Sequence, residues 1–197
     1  MTVIGITGPT GAGKTTALNG LKKRGFEVID CDRLYDSLLA QDEDLRGKLR
    51  AAFGDVFRSD GQLDRPGLAR RVFGDSKELA KLNSIVFPVI YRAVEGKIAK
   101  STQKGIAIDA INLVESSLGQ LCDVTVAITA DPAIRLKRIM ARDGIDEERA
   151  KARIAAQKPD KFYRKNCSFV LENRAGSGAE FERLMDEFMD NILFMEE

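Results

Sequence analysis

Residues 8 to 15 read Gly8-Pro9-Thr10-Gly11-Ala12-Gly13-Lys14-Thr15, the phosphate-binding spacing Gly-x-x-x-x-Gly-Lys-Ser/Thr. Glycines at these places let backbone N–H groups wrap phosphate oxygens, and a helix opening directly behind them adds partial positive charge. In that chemistry Lys14 reaches the β- and γ-phosphates, the Thr15 hydroxyl ligates Mg²⁺, and Thr16 extends the cradle into the helix. A glycine-rich turn beside a surface lysine would show the same letters. The flanks speak against it, because Val3-Ile4-Gly5-Ile6 is an apolar run of strand length and Thr16 to Leu21 opens a helical pattern.

A phosphoryl group needs an acceptor, so the carboxylates come next. Asp32 follows the apolar run Phe26 to Asp30, at the strand end where open α/β sheets hold their ligands. It could take a proton from an acceptor hydroxyl or orient a metal-bound water. It could equally cap the helix that follows, and Asp30 competes for the same roles. Asp109 closes the run Ile106-Ala107-Ile108, where such a carboxylate holds Mg²⁺ through water or caps a turn. Glu115 is either a substrate contact or the start of the next helix. Arg135, Arg138 and Arg142 recur at i, i+3 and i+7, and Arg149 and Arg153 follow beyond Asp143-Gly144. Two helices so furnished make either a lid whose guanidiniums bracket a transferring phosphoryl group or a solvated charged face. Asn173 to Gly178 is a polar, glycine-rich loop placed for a nucleobase contact.

Composition narrows this chemistry. The 197 residues include no histidine, which excludes Ser-His-Asp and Cys-His nucleophiles and His-ligated zinc. A general base is then a carboxylate, a lysine, a tyrosine or a thiolate. A formal net charge of +1 gives no bulk attraction to nucleic acid or to an anionic membrane. Cys31, Cys122 and Cys167 are odd in number and lack Cys-x-x-Cys spacing, and Cys31 reads as a small buried hydrophobe. The opening residues show no basic-apolar pattern and no run reaches membrane-spanning length, so neither a signal peptide nor a membrane span is expected. The expected setting is the cytoplasm, with no membrane or nucleic-acid partner, as a monomer or weak homo-oligomer.

These residues need a scaffold. Residues 3–6, 26–30, 106–110, 124–129 and 169–171 read as strands alternating with helical patterns. That predicts an α/β fold, a three-layer P-loop NTPase core with a parallel sheet of about five strands. A first helix from Thr15 stops at Gly25. Asp131-Pro132 start another as N-cap and N1, Asp146 to Gln157 form a third, and an amphipathic helix spans Ala179 to Met195. Between Asp32 and Lys104 no strand stands out. Leu45, Leu49 and Phe53 keep helical spacing, and Leu63-Asp64-Arg65-Pro66 turns into a helix carrying Leu68, Val72 and Phe73. Leu79, Leu82, Ile85 and Val86 make a stripe interrupted at Pro88 and resumed from Val89 to Ile98. The organisation expected is a nucleotide-binding core of residues 1–31 and 105–197, its lid at about 138–165, and a helical acceptor-binding insertion of 32–104. On the residues alone the acceptor stays open: a small-molecule or nucleoside kinase and a non-catalytic nucleotide switch fit the same scaffold.

Over nearly its whole length the chain resembles the dephospho-coenzyme A kinase family. Val28-Ile29-Asp30-Cys31-Asp32 is similar to the family's Val-Ile-Asp-Ala-Asp segment, whose last Asp is taken as the catalytic base. Leu63-Asp64-Arg65 with Val72-Phe73 resembles its Leu-Asp-Arg…Val-Phe segment, and Asp109 and Glu115 take the end positions of its Asp-x-Pro-Leu-Leu-Phe-Glu stretch. Arg138 to Gly144 with Arg153 to Gln157 is similar to its lid, which is the most specific match. Three departures accompany these. Phe87-Pro88 stands for a common His-Pro, Ile111-Asn112-Leu113-Val114 for Pro-Leu-Leu-Phe, and Glu172-Asn173-Arg174-Ala175-Gly176 for Asp-Asn-x-Gly. The resemblance implies ATP and Mg²⁺ on the phosphate loop and transfer to the ribose 3′-hydroxyl of dephospho-coenzyme A. It assigns catalysis to Asp32, Lys14 and Arg142, nucleotide contacts to Arg138, Arg142 and Asn173, and substrate contacts to Asp32, Asp109, Glu115 and Arg65.

Overall fold

Each of the five apolar runs forms a strand in the computed structural model, which describes residues 1–72 and 74–194. Phe73 and Met195, both assigned to helices above, lie outside the described residues. The strands β1 (Thr2–Thr7), β2 (Phe26–Asp30), β3 (Gly105–Asp109), β4 (Val124–Thr129) and β5 (Phe169–Glu172) make one sheet in the order β2-β3-β1-β4-β5. β1 runs parallel to both β3 and β4, and β4 runs parallel to β5. A strand covered on both faces reads as a continuous apolar run, and Val3, Ile4 and Ile6 of central β1 are buried accordingly. Register then fixes a neighbour of the phosphate loop, since Asp109 pairs with Ile6, two residues before Gly8.

The chain divides into two compact units, Asp30–Lys100 and the remainder. In the larger unit, α1 (Lys14–Lys23) follows Gly13 and gives way at Arg24 to Gly25, whose φ of 86° suits a helix stop. The smaller unit holds α2 (Cys31–Gln41), α3 (Glu43–Phe53), α4 (Arg65–Val72) and α5 (Ser76–Lys100). Asp64 starts α4 as anticipated, accepting from the Gly67 N–H at 3.1 Å. Pro88 does not interrupt α5, contrary to the sequence reading. Proline deprives the carbonyl four residues back of its partner. Ser84 and Pro88 are both exposed, so water can reach that carbonyl, while buried Val86, Val89, Ile90 and Val94 carry the packing across the site.

Back in the larger unit, Asp131 caps α6 (Pro132–Asp143), accepting from the Ala133 N–H at 2.7 Å, and Gly144 closes it in the left-handed region. Asp146 caps α7 (Glu147–Ala155) in the same way. A further helix, α8 (Asp160–Asn166), was not anticipated. Only Tyr163 of its seven residues is buried, so it leaves no apolar periodicity to read. The final helix, α9 (Gly178–Phe194), lays Phe181, Met185 and Met189 into the core shared with Leu18 and Leu21 of α1 and with Ile4, Val126 and Ile128 of the sheet. The helix bearing the phosphate loop is thereby anchored along its length. Among the described residues no helix is long and apolar enough to cross a membrane.

Candidate active site

The turn from β1 into α1 demands glycine at its two ends. Gly8 has φ 131° and Gly13 φ 110°, where a side chain is strained. A Cβ at Gly8 would strike the Ile128 carbonyl of β4, and one at Gly13 would strike Nδ2 of Asn173. The loop therefore rests directly on the sheet. Lys14 opens α1 and folds its ammonium back over the first turn, donating to the Gly8 carbonyl at 2.7 Å and the Pro9 carbonyl at 3.3 Å. Thr15 beside it is exposed and Thr16 half-buried.

The arginine stripe of α6 faces this loop. Arg135 is only 4% exposed, so the solvated-face alternative fails there. Its Nε donates to the Thr10 carbonyl at 2.9 Å and its Nη2 to Oε1 of Gln157 at 2.6 Å. Burial lowers its pKa, with the charges of Asp160 and Tyr163 opposing the shift. Arg138, half-buried, donates to the carbonyls of Gly11, Ala12 and Ala175 at 3.3 to 3.4 Å. Arg142, farther along and exposed, reaches the Thr10 hydroxyl at 3.4 Å. Its guanidinium forks onto Asp143 at 2.7 and 3.0 Å, and Arg153 of α7 takes the same carboxylate at 2.5 Å. That carboxylate raises the Arg142 pKa, and the guanidinium in turn holds Asp143 below the ordinary carboxylate range.

Asn173, expected at a nucleobase, is 3% exposed. Its Nδ2 donates to the Ala12 carbonyl at 2.8 Å, while Oδ1 accepts from the Ala175 N–H at 3.2 Å. The side chain thus braces the loop from within the protein. Asn173→Ala is expected to cost about 1–3 kcal/mol, the penalty for leaving buried partners unsatisfied. Thermal unfolding should show this as a midpoint several degrees lower, and an unchanged midpoint would argue against the brace.

The carboxylates separate by position. Asp109 closes β3 beside the loop. Glu115 lies 4.0 Å from Nζ of Lys158. In the smaller unit, Asp30 and not Asp32 caps α2, accepting from the Arg33 N–H at 3.0 Å, so the capping alternative for Asp32 falls. Asp32 is exposed in the first turn of that helix. Arg65 ion-pairs with Asp36 and lies over the Tyr35 ring at 6.0 Å. Other sources of a base recede. Burial pushes the Cys122 thiol and the Tyr163 hydroxyl up to about 12, and raises Tyr35 and Cys167 as well. Such groups stay protonated near neutral pH, which leaves carboxylates the favoured acceptors of a proton.

Sequence reasoning placed Arg135 in the arginine stripe of the lid and Gln157 at the end of the lid segment but gave neither a role of its own. The spacing of Arg135 with Arg138 and Arg142 was the available signal.

A family model described as dephospho-CoA kinase matches residues 2–179. A dephospho-CoA kinase of Corynebacterium efficiens is 32% identical over 196 residues, covering 96% of this chain and 98% of its own. Another, from Carboxydothermus hydrogenoformans, is 33% identical over 187 residues, with 93% and 91% covered. A crystal structure from Thermus thermophilus is similar with a TM-score of 0.79 at 29% identity, covering 98% of this chain and 97% of that one.

Proposed function

The chain belongs to the dephospho-CoA kinase family, and we propose that it transfers the γ-phosphoryl group of ATP to the ribose 3′-hydroxyl of dephospho-CoA, giving CoA and ADP. That is the closing step of coenzyme A biosynthesis. The observation that carries the reading is the row of α6 arginines meeting the phosphate loop, an arrangement that a transferase needs and a mere turn does not.

In this mechanism the loop's N–H groups, those of Gly11 and Gly13 among them, cradle the phosphates of ATP, with the Lys14 ammonium on the β- and γ-phosphates. Asn173 serves the nucleotide by holding the loop in shape. The Thr15 hydroxyl and, through water, Asp109 would hold Mg²⁺. The residues fit it, because Asp109 sits at the strand end beside the loop. Among the described residues no group of three acidic, Cys or His side chains could cage a metal, as suits an ion held largely by phosphates and water. When bound, that ion neutralises charge on the phosphate oxygens.

Asp32 accepts the 3′-hydroxyl proton as the phosphoryl group departs. Arg142 forks onto the phosphoryl oxygens in the transition state, with Arg138 supporting it. The smaller unit reads the acceptor. It contains a cleft of about 840 Å³ lined by Leu39 and Leu63, by the guanidiniums of Arg46, Arg58 and Arg65 and by the carboxylates of Asp36, Glu43 and Asp60, a concave surface with polar groups of both signs for orienting a small molecule. Glu115, joined to Lys158, supports the acceptor side of the larger unit. The proposed setting is the cytoplasm, as a monomer or weak homo-oligomer, without nucleic acid or membrane.

The test is ADP release from ATP and Mg²⁺ with and without dephospho-CoA, the product being identified by mass and by the position of its phosphate. Acceptor-independent ADP release, or phosphate on another hydroxyl, overturns the reading. Asp32→Asn should lower kcat by about 10²–10⁴, the usual contribution of a positioned base, and leave ATP affinity unchanged. A loss of only a few-fold would remove Asp32 from that role.

A further inference from the structure

Thr10, at the tip of the phosphate loop, has both of its backbone groups taken by side chains from the lid. Its N–H donates to Oε1 of Gln157 at 3.1 Å, and its carbonyl accepts from Nε of Arg135 at 2.9 Å. Nη2 of Arg135 donates to the same Gln157 oxygen at 2.6 Å, so the three bonds close a ring. Arg135 comes from the first turns of α6, and Gln157 follows α7. The ring therefore ties both lid helices to one residue of the loop. Next to it, Gly11 lies flat on α6, where an added Cβ would come within 3.0 Å of the Arg135 carbonyl oxygen and 3.1 Å of Ile139.

The carbonyls on this stretch are drawn to protein donors in turn: Thr10 to Arg135, Gly11 to Arg138, and Ala12 to Asn173 and Arg138. A trans peptide sets its N–H opposite its C=O. Drawing the Thr10 and Ala12 carbonyls to these donors turns the N–H groups of Gly11 and Gly13 the other way. Those are N–H groups that a phosphate cradle must present ready-oriented, since donors that reorganise during the reaction lose most of their value.

We infer that Arg135 and Gln157 are positioning residues for phosphoryl transfer, and that they set the tip of the phosphate loop by clamping Thr10 from the lid. Their bonds go to the Thr10 backbone and to each other. Displacing the lid helices breaks the ring, so lid position and loop shape change together. The inference rests on residues 8–15 being the phosphate site of this kinase.

Arg135 is buried, and its truncation endangers folding, so the test uses Gln157. Gln157→Met keeps the length and removes the acceptor oxygen, whereas Gln157→Glu keeps an acceptor for both donors. The first readout is hydrogen exchange of the Thr10 amide in the full chain without nucleotide. Exchange should be about tenfold faster in Gln157→Met and stay near wild type in Gln157→Glu. The second is steady-state kinetics with ATP and dephospho-CoA. Gln157→Met should lose about 10- to 100-fold in kcat, as a slightly misplaced site does, with KM for ATP moving less than kcat. Unchanged Thr10 exchange in Gln157→Met overturns the clamp. Faster exchange with kcat within about twofold of wild type overturns its positioning role. Failure of the kinase reading would appear separately, as a wild-type protein without acceptor-dependent turnover, while the exchange experiment would still report on the clamp.

Discussion

Lys14→Ala is expected to bring acceptor-dependent ADP formation below detection in a protein that still folds. The lysine does two things that alanine cannot. Its ammonium is the only side-chain cation inside the loop motif itself, and phosphates gathered there need positive charge more than any other group. That ammonium also donates to the Gly8 and Pro9 carbonyls, pulling the first turn of the loop closed. Bonds from a charged donor are roughly twice as strong as neutral ones. The variant thus loses both the charge and part of the loop's shape. Lys14→Arg separates the two losses. It keeps the charge, but a broad planar fork does not reproduce a compact ammonium between two carbonyls, so its turnover should remain far below wild type. Calorimetry of ATP binding and a thermal melt complete the comparison. Near-normal turnover by Lys14→Ala would refute the phosphate-loop reading, whatever the melt shows.

The parts of the fold that the sequence disclosed most accurately are those where burial leaves a dense pattern. β4 was expected at 124–129 and lies there, because a strand covered on both faces is apolar along most of its length, here at Val124, Val126, Ala127 and Ile128. Asp131-Pro132 and Gly144 bound α6 as read, since caps follow from the backbone geometry of single residues. The failures share a cause too. Nothing in the sequence says which face of a helix a cation meets, so Arg135, buried against carbonyls, has the same letters and spacing as a solvated arginine. Carbonyl partners leave no mark in the sequence, as a carboxylate partner would. Asn173 was read from its polar loop and from the family resemblance as a nucleotide contact, yet it is the side chain on which Gly13 rests. Asp30 and Asp32 were indistinguishable as caps until the first turn of α2 was in place. Pro88 misled because the rule against proline inside a helix concerns a lost hydrogen bond, and at an exposed position water supplies the substitute.

Arg142→Ala tests the chemistry most directly. A lid arginine that stabilises charge in phosphoryl transfer contributes about 10³–10⁵ in rate, so kcat should fall by roughly that factor. KM for ATP should change far less. The structure supplies the reason for this split. Arg142 touches the loop only through the Thr10 hydroxyl at 3.4 Å, its strong bonds going to Asp143. Removing it leaves the carbonyl contacts of Arg135 and Arg138, and with them the shape of the ground-state phosphate site. What disappears is a guanidinium already held by Asp143, whose carboxylate Arg153 also occupies. Two arginines on one carboxylate leave net positive charge at the lid's edge. Arg142 can turn toward a phosphoryl group without abandoning Asp143 to solvent alone, because Arg153 remains on it. Arg142→Lys should recover only part of the rate, since it restores charge without the fork. A variant with normal kcat and a raised KM would place Arg142 in nucleotide binding only. The charge that develops during transfer would then have to be met by Lys14 and the loop's own N–H groups.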